Sequence, residues 1–302
     1  MAANPTYEES KQVAEASRET EWKLPSFGKE LFLGSFRPDL IHPQPAEPAE
    51  ATAKGEAFLA QMRAFLTEKV DPFQIERDAK IPEDVIDGLK EMGALGMKIP
   101  EEYGGLGLSQ VYYNKALALT GTWHSAISTL LSAHQSIGLP EPLRMFGSDA
   151  QKQEWLPKVA RTHISAFLLT EPDVGSDPAR MTTTAVPTED GTGYRLTGTK
   201  LWATNGAIAD VVIVMAVVPK SEGHKGGISA FIVPYDSEGI EVKTRNQFMG
   251  LRGIENSLTT FDDVLVPAEN IVGREGDGLR IALSTLNTGR LSLPAICAAM
   301  TK

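Results

Sequence analysis

The chain has 302 residues, and its shares of hydrophobic (42%) and charged (23%) residues are those of an ordinary globular protein with about two domains. Its formal net charge of -10 argues against nucleic acid as the main partner, because such binding needs a positively charged face. The single cysteine, Cys297, excludes an internal disulfide bond and indicates a reducing compartment.

Residues 1–50 are predicted to form an N-terminal arm. Its acidic start has no apolar segment, which fits neither a secretory signal nor a basic transit peptide. Since no apolar run in the chain reaches the roughly 18 residues of a membrane helix, we expect a cytoplasmic protein with no membrane span. An apolar cluster predicts that the arm packs onto the body of the protein, with contact to a membrane as the alternative; it comprises Phe27, Leu31, Phe32, Leu33 and Phe36.

Residues 51–163 are predicted to form an N-terminal helical domain. Apolar residues recur there at helical spacing in four stretches, at about 58–70, 85–92, 111–119 and 124–137. Ser148-Asp149-Ala150-Gln151 matches a capping box, which predicts the start of a further helix.

Residues 164–275 are predicted to form a middle β-domain. Short β-prone runs separated by turn residues indicate a barrel or a sandwich; they cover 164–169, 181–186, 193–204, 211–218, 227–233, 239–245 and 257–266. Helical patterning resumes after Gly278, and apolar residues continue almost to Lys302. We therefore interpret residues 276–302 as the first helix of a C-terminal helical domain that is cut short, with a helix docked on the β-domain as the alternative. The fold class is α+β.

Two segments could carry chemistry. Residues 170–177, Thr-Glu-Pro-Asp-Val-Gly-Ser-Asp, follow a strand, and their exposed amides and hydroxyls could hold an anion or the edge of a heterocycle. Their carboxylates do not have the spacing of a calcium loop, and no Cys/His cluster has zinc spacing, so no metal site is predicted. Residues 200–206, Lys-Leu-Trp-Ala-Thr-Asn-Gly, place Trp202 on a strand before a strong turn signal. Taken singly, the two segments are more typical of a surface loop and a packed tryptophan.

Together the two segments resemble the acyl-CoA dehydrogenases, in which a TEP-x-x-GSD loop and a W-x-T/S-N-G strand end both hold FAD. Three more segments match that family in order, at 100–108, 249–252 and 261–267. The resemblance is closest to the very-long-chain branch, through residues 26–32, 132–138 and 286–290. Many members of the wider family carry Asp where this chain has Asn287.

The resemblance implies FAD-dependent α,β-dehydrogenation of long-chain fatty acyl-CoA to trans-2-enoyl-CoA in fatty acid β-oxidation. Electrons would pass to an electron-transfer flavoprotein, and the complete protein would be a homodimer. An acyl-CoA oxidase or a flavin monooxygenase of the same fold is the alternative enzyme. A non-catalytic fragment that binds acyl-CoA or caps a partner is the alternative of another class. Beyond a preference for long acyl groups, the acyl chain length is not implied.

The resemblance also assigns roles to residues. The implied cofactor contacts are Phe167, Leu169, Thr170, Gly175, Ser176, Trp202, Ala203 and Thr204. Trp202 would pack on the flavin ring system, and Thr204 would donate a hydrogen bond near N5, which helps most when the donor is fixed beforehand. Ser176, Asn287 and Arg290 would contact the CoA part of the substrate.

The resemblance names no catalytic base within this sequence. In most of the family the base is a glutamate late in the C-terminal domain, so the base is expected beyond residue 302. Some members place it one residue before the arginine that matches Arg290, where this chain has Gly289. We therefore expect the chain as given to bind FAD weakly and not to dehydrogenate acyl-CoA. His134 is interpreted as a hydrogen-bonded helix histidine without a catalytic role.

Overall fold

The structure is a computed structural model that describes residues 25–301. Residues 1–24, on which the targeting prediction depends, lie outside the described residues, so the cytoplasmic location stays a prediction. Within residues 25–301, no helix is long and apolar enough to cross a membrane.

Eight α-helices precede the strands in this part of the chain: α1 (Phe27–Phe32), α2 (Ala49–Lys69), α3 (Pro72–Asp78), α4 (Glu83–Glu91), α5 (Gln110–Trp123), α6 (Ser125–Ser132), α7 (Pro140–Phe146) and α8 (Asp149–Arg161). The predicted helix over 124–137 is α6 followed by a π-helical turn, Ala133–Ile137. The capping box at the start of α8 is confirmed, because Ser148 Oγ accepts from the backbone N–H of Gln151 and Gln151 Oε1 accepts from that of Ser148.

The helices before the strands share one apolar core. Met62 and Leu66 are four residues apart, so they lie on the same face of α2, and both are fully buried. Tyr113 and Leu117 present the same spacing on α5 and belong to the same core. The helical spacing seen in the sequence therefore reports the buried faces of real helices.

The prediction that the N-terminal arm packs onto the body is wrong for four of the five apolar residues of its cluster, which are exposed. Phe32 is 94% exposed, Leu33 71% and Phe36 70%. Phe27 and Phe36 meet edge to face, with ring centroids 6.2 Å apart. Leu33 and Phe36 lie beyond the end of α1, and α1 itself has fewer than two turns, so these side chains do not share one helix face.

Eight strands follow the helices within the described residues: β1 (Ser165–Leu168), β2 (Thr184–Pro187), β3 (Gly193–Thr204), β4 (Val211–Val218), β5 (Gly227–Pro234), β6 (Ile240–Asn246), β7 (Asn256–Pro267) and β8 (Ile271–Val272). They form one mixed sheet in the order β6-β7-β3-β2-β4-β5-β8, with β1 pairing β4. All seven predicted strands are present, and β8 was not predicted. The α+β fold class is thereby confirmed.

Strand β4 is buried on both faces. Ile213 and Met215 belong to a core shared with α7 and α8, whereas Val212 and Val214 belong to a core enclosed by the strands themselves. A strand covered on both faces has an unbroken apolar sequence, which explains why the run 211–218 was predicted with correct bounds.

The loop between β1 and β2 leaves the sheet and returns to the same edge of β4. Strand β1 pairs in parallel with the first half of β4, Ser165 opposite Val211, and β2 meets its far end at Val217. The loop between them contains residues 170–177. Thr170, the first residue of that segment, is bound to β3, because Leu201 N–H donates to the carbonyl oxygen of Thr170 at 2.9 Å.

A ninth helix, α9 (Gly278–Met300), follows the sheet and packs on α5 and on β5. Its buried residues include Leu279, Ile281 and Ile296, whereas Leu291 and Leu293 are more than half exposed. One helix does not test the predicted domain boundaries, which stay predictions.

Candidate functional site

A cavity of about 360 Å³ lies between the β1–β2 loop, the end of β3, the π-helical turn and α9. The structure brings seven of the eight predicted cofactor residues to its wall: Phe167, Leu169, Thr170, Gly175, Ser176, Trp202 and Thr204. Arg290, which was predicted to contact CoA, lines it as well. A larger cleft of about 660 Å³, between α8 and the ends of β5 and β7, contains none of the predicted residues.

Ala203 is the predicted cofactor residue whose side chain does not reach the cavity. It is 1% exposed and belongs to the core enclosed by the strands. Side chains alternate between the two faces of a strand, and Thr204, the next residue, faces the cavity. The predicted role of Ala203 would therefore fall to its backbone.

Trp202 is turned outward by a β-bulge. The pairing of β3 with β7 shifts register between Lys200 and Ala203, and Trp202 has a φ of 61°. Such bulges re-aim a side chain, and a positive φ is uncommon for a residue other than glycine. Trp202 is 54% exposed at the cavity wall, and the centroid of its ring lies 5.7 Å from that of Phe248.

Behind the cavity wall, Glu171 and Lys200 form a buried ion pair. Lys200 Nζ donates to Glu171 Oε1 at 2.9 Å and to the carbonyl oxygen of Leu169 at 3.1 Å. The carboxylate also accepts from the backbone N–H groups of Thr182 and Thr183. Burial acts to raise the pKa of Glu171, but the charge of Lys200 and these hydrogen bonds outweigh it and lower that pKa to about 2. Glu171 is therefore a structural group that is charged at neutral pH.

Arg290 is held in place by a neighbour on its own helix. Its Nη1 donates to Asn287 Oδ1 at 2.8 Å, one turn away. Asn287, which was predicted to contact CoA, is not among the residues that line the cavity. The contact that the structure shows for it is the hydrogen bond from the guanidinium of Arg290. Between them, Gly289 is buried, and a Cβ atom there would lie 2.8 Å from Ile137 Cγ2. A side chain at this position would therefore require Ile137 to shift.

His134 is fully buried and has both ring nitrogens occupied. Its Nδ1 accepts from the backbone N–H of Ser165 at 2.9 Å, so the proton is on Nε2, which donates to the carbonyl oxygen of Val159 at 2.9 Å. Burial lowers the pKa of His134 to about 4, against the opposing effect of the Val159 carbonyl. The geometry agrees with a structural histidine.

Asn256 is a site residue that the sequence did not predict. It begins β7, is 2% exposed, and its Nδ2 donates to Thr204 Oγ1 at 3.2 Å. The signal lies in strand pairing, because Asn256 stands opposite Thr204 in the β3–β7 register. That register joins strands far apart in the chain and cannot be read from either segment alone.

The chemical character of the wall suits a flat conjugated ring with a polar edge and an anionic tail. Apolar and aromatic side chains alternate with the hydroxyls of Thr170, Ser176 and Thr204. At Gly175 a Cβ would meet nothing within 4 Å, so the backbone there is open to a ligand. No carboxylate lines the cavity among the described residues, and Arg290 brings a positive charge.

Comparison with known proteins gives two family matches. Residues 52–163 match the family described as acyl-CoA dehydrogenase, N-terminal domain, and residues 166–264 match acyl-CoA dehydrogenase, middle domain.

Three known proteins illustrate the likeness. The "Probable acyl-CoA dehydrogenase FadE10" of Mycobacterium tuberculosis is 58% identical over 297 residues, which are 98% of this chain and 46% of that protein. The mitochondrial very long-chain specific acyl-CoA dehydrogenase of Rattus norvegicus is 36% identical, covering 92% of this chain and 43% of its own length. The crystal structure of an acyl-CoA dehydrogenase complexed with FAD from Bacillus anthracis has a TM-score of 0.73 at 32% identity, covering 82% of this chain and 42% of that one. The chain thus spans less than half the length of these relatives.

Proposed function

The chain belongs to the acyl-CoA dehydrogenase family, as its motifs predicted, and we propose that it forms the FAD-binding part of an enzyme that dehydrogenates long-chain fatty acyl-CoA. One observation carries the proposal: the loop 170–177 and the end of β3, each ambiguous alone, line a single cavity together with Arg290. The names of the two curated relatives support the substrate class, and the FAD complex from Bacillus anthracis supports the cofactor.

FAD, when bound, supplies the acceptor for a hydride taken from the β-carbon of the acyl group. Trp202 and Phe167 give the cavity the apolar surface on which a ring system packs. Thr170 and Ser176 offer hydroxyls to polar atoms at its edge. Thr204 presents a hydroxyl whose oxygen already accepts a hydrogen bond, which leaves its proton for the ligand.

The substrate would enter along α9. Leu283 and Leu286 line the cavity from this helix and suit an acyl chain, and Arg290 lies one turn further along and suits a phosphate or a carbonyl oxygen of CoA. By the family resemblance, the base that removes the α-proton is proposed to lie beyond residue 302. Among the described residues, no carboxylate lines the cavity.

The reaction is proposed to serve fatty acid β-oxidation, with electron-transfer flavoprotein as the acceptor and a homodimer as the complete form. The test is an anaerobic titration of the full-length natural polypeptide, loaded with FAD, with palmitoyl-CoA. We expect the flavin absorbance to bleach and to return on adding electron-transfer flavoprotein. Return at the same rate with oxygen alone would identify an oxidase, and no bleaching with any acyl-CoA from four to eighteen carbons would contradict the proposal.

A further inference from the structure

Three polar residues stand in a row where β6, β7 and β3 meet at one end of the sheet. Asn246 is the last residue of β6 and pairs with Asn256, the first residue of β7. Asn256 in turn pairs with Thr204, the last residue of β3. Side chains of directly paired residues project to the same face of a sheet, so the three groups are neighbours.

Hydrogen bonds connect the row in one direction. Asn246 Nδ2 donates to Asn256 Oδ1 at 2.8 Å, and Asn256 Nδ2 donates to Thr204 Oγ1 at 3.2 Å. A threonine hydroxyl has one proton to donate and two lone pairs that accept. In residues 25–301 Thr204 Oγ1 makes no other hydrogen bond, and its side chain lines the cavity.

We propose that Asn256, oriented by Asn246, is a positioning residue that directs the hydroxyl proton of Thr204 into the cavity. The inference rests on the proposed function, because it assigns that proton to the bound flavin. Asn256 is 2% exposed and does not line the cavity, so it acts through Thr204.

The polarity of the Asn256 amide decides where the proton goes. With Nδ2 toward Thr204, the hydroxyl accepts from the amide and donates to the ligand. With the amide reversed, Oδ1 would take the Thr204 proton and the cavity would lose its donor. In the structure Asn246 donates an N–H to Oδ1, which matches the first arrangement. A donor fixed in this way needs no reorganisation when negative charge develops nearby.

The test is a double-mutant cycle in the full-length polypeptide loaded with FAD. Asn256→Asp reverses the hydrogen bond to Thr204, because a carboxylate can only accept. Asn256→Leu removes that hydrogen bond altogether. Each of these two Asn256 variants is made in the wild-type background and in the Thr204→Val background. The readouts are the two-electron potential of the flavin under chemical reduction, which needs no substrate, and the rate of flavin reduction by saturating palmitoyl-CoA.

With Thr204 present, we expect both variants to shift the flavin potential and to slow reduction about 2- to 10-fold, the range for one neutral hydrogen bond, with Asn256→Asp the slower. In the Thr204→Val background the Asn256→Leu change should have almost no effect, because the group through which it acts is gone. Asn270→Leu is the matched control, since Asn270 is a buried asparagine of the sheet region that donates to Ile232 O away from this cavity.

A wild-type potential and rate in folded Asn256 variants would overturn the inference, as would equal losses in both Thr204 backgrounds. Should the Asn256 variants fail to fold or to hold FAD, Asn246→Leu tests the same orientation without altering Asn256, and an unchanged potential there overturns it. If the wild type holds FAD but no acyl-CoA from four to eighteen carbons bleaches it, the proposed function fails, while the potentials still decide the role of Asn256.

Discussion

Lys200 and Glu171 form an ion pair in which Nζ lies 2.9 Å from Oε1 and the two side chains are 0% and 3% exposed. Since Lys200 also donates to the carbonyl oxygen of Leu169, the pair fastens the β1–β2 loop to β3. These two elements supply most of the cavity wall, so the geometry of the site depends on charges that no ligand would touch.

Lys200→Met is expected to destabilise the fold strongly. Glu171 would remain as a buried carboxylate without its cation, and breaking a buried pair from one side costs about 3–5 kcal/mol of unfolding free energy. The double variant Lys200→Met/Glu171→Gln should recover most of the loss, and urea denaturation measures both. Lys80→Met is the control, because its pair with Glu83 is exposed and should matter little. Equal losses in the Lys200 and Lys80 variants would contradict this account.

Acid should weaken the fold through His134. The pKa of His134 is about 4 in the folded chain against an ordinary 6.5, because burial disfavours the charged ring. Between these values the unfolded chain binds the proton and the folded chain does not, so stability falls as the pH drops from 6.5 to 4. Urea denaturation at several pH values measures this. His134→Gln should flatten the profile in that window, and a slope equal to that of the wild type would refute the assignment.

Thr204→Val should slow flavin reduction while FAD stays bound. Loss of one neutral hydrogen bond predicts a decrease of about 2- to 10-fold, and loss of a preorganised donor predicts about 100-fold or more. Stopped-flow measurement of flavin bleaching by palmitoyl-CoA gives the rate. Thr204→Ser keeps the hydroxyl and should stay near the wild-type rate. If valine and serine give the same rate, the hydroxyl has no role in the step.

Arg290→Gln should weaken acyl-CoA binding. A hydrogen bond to a charged group contributes about 1.5–3 kcal/mol, which predicts an increase of about 10-fold or more in the dissociation constant. Arg280→Gln provides the comparison, because Arg280 lies on the same helix but not on the cavity. Calorimetric titration with a non-reacting acyl-CoA analogue measures the dissociation constant of each variant. Equal affinities for both variants would remove Arg290 from the substrate site.

The sequence was most informative where burial leaves a simple pattern. The run 211–218 is apolar throughout because both faces of β4 are covered, and the capping box at Ser148 is a local device with a local signature. The π-helical turn after Ser132 was not predictable, because apolar spacing does not separate a π turn from an α-helix over five residues. The arm was mispredicted because apolar composition does not by itself provide a surface to pack on.

At the site, motif resemblance found most of the residues that line the cavity, but not the pairing that supports them. The bulge at Trp202 decides which side chains of β3 face outward, and its register shift appears only once β7 is in place. Asn256 depends on the same long-range pairing. Such features arise from contacts between distant segments, so they become visible only in the folded chain.

The return of the β1–β2 loop to one edge of β4 also bears on the order in which the molecule folds. The β4–β5 and β6–β7 hairpins join neighbouring segments, whereas β1 and β2 reach β4 only after long loops close. Local pairings form faster than distant ones, so we expect the hairpins early and the cavity late. Contacts made after the folding barrier change the unfolding rate and leave the folding rate almost untouched. A ligand of this cavity should therefore extend the lifetime of the folded chain without hastening its formation.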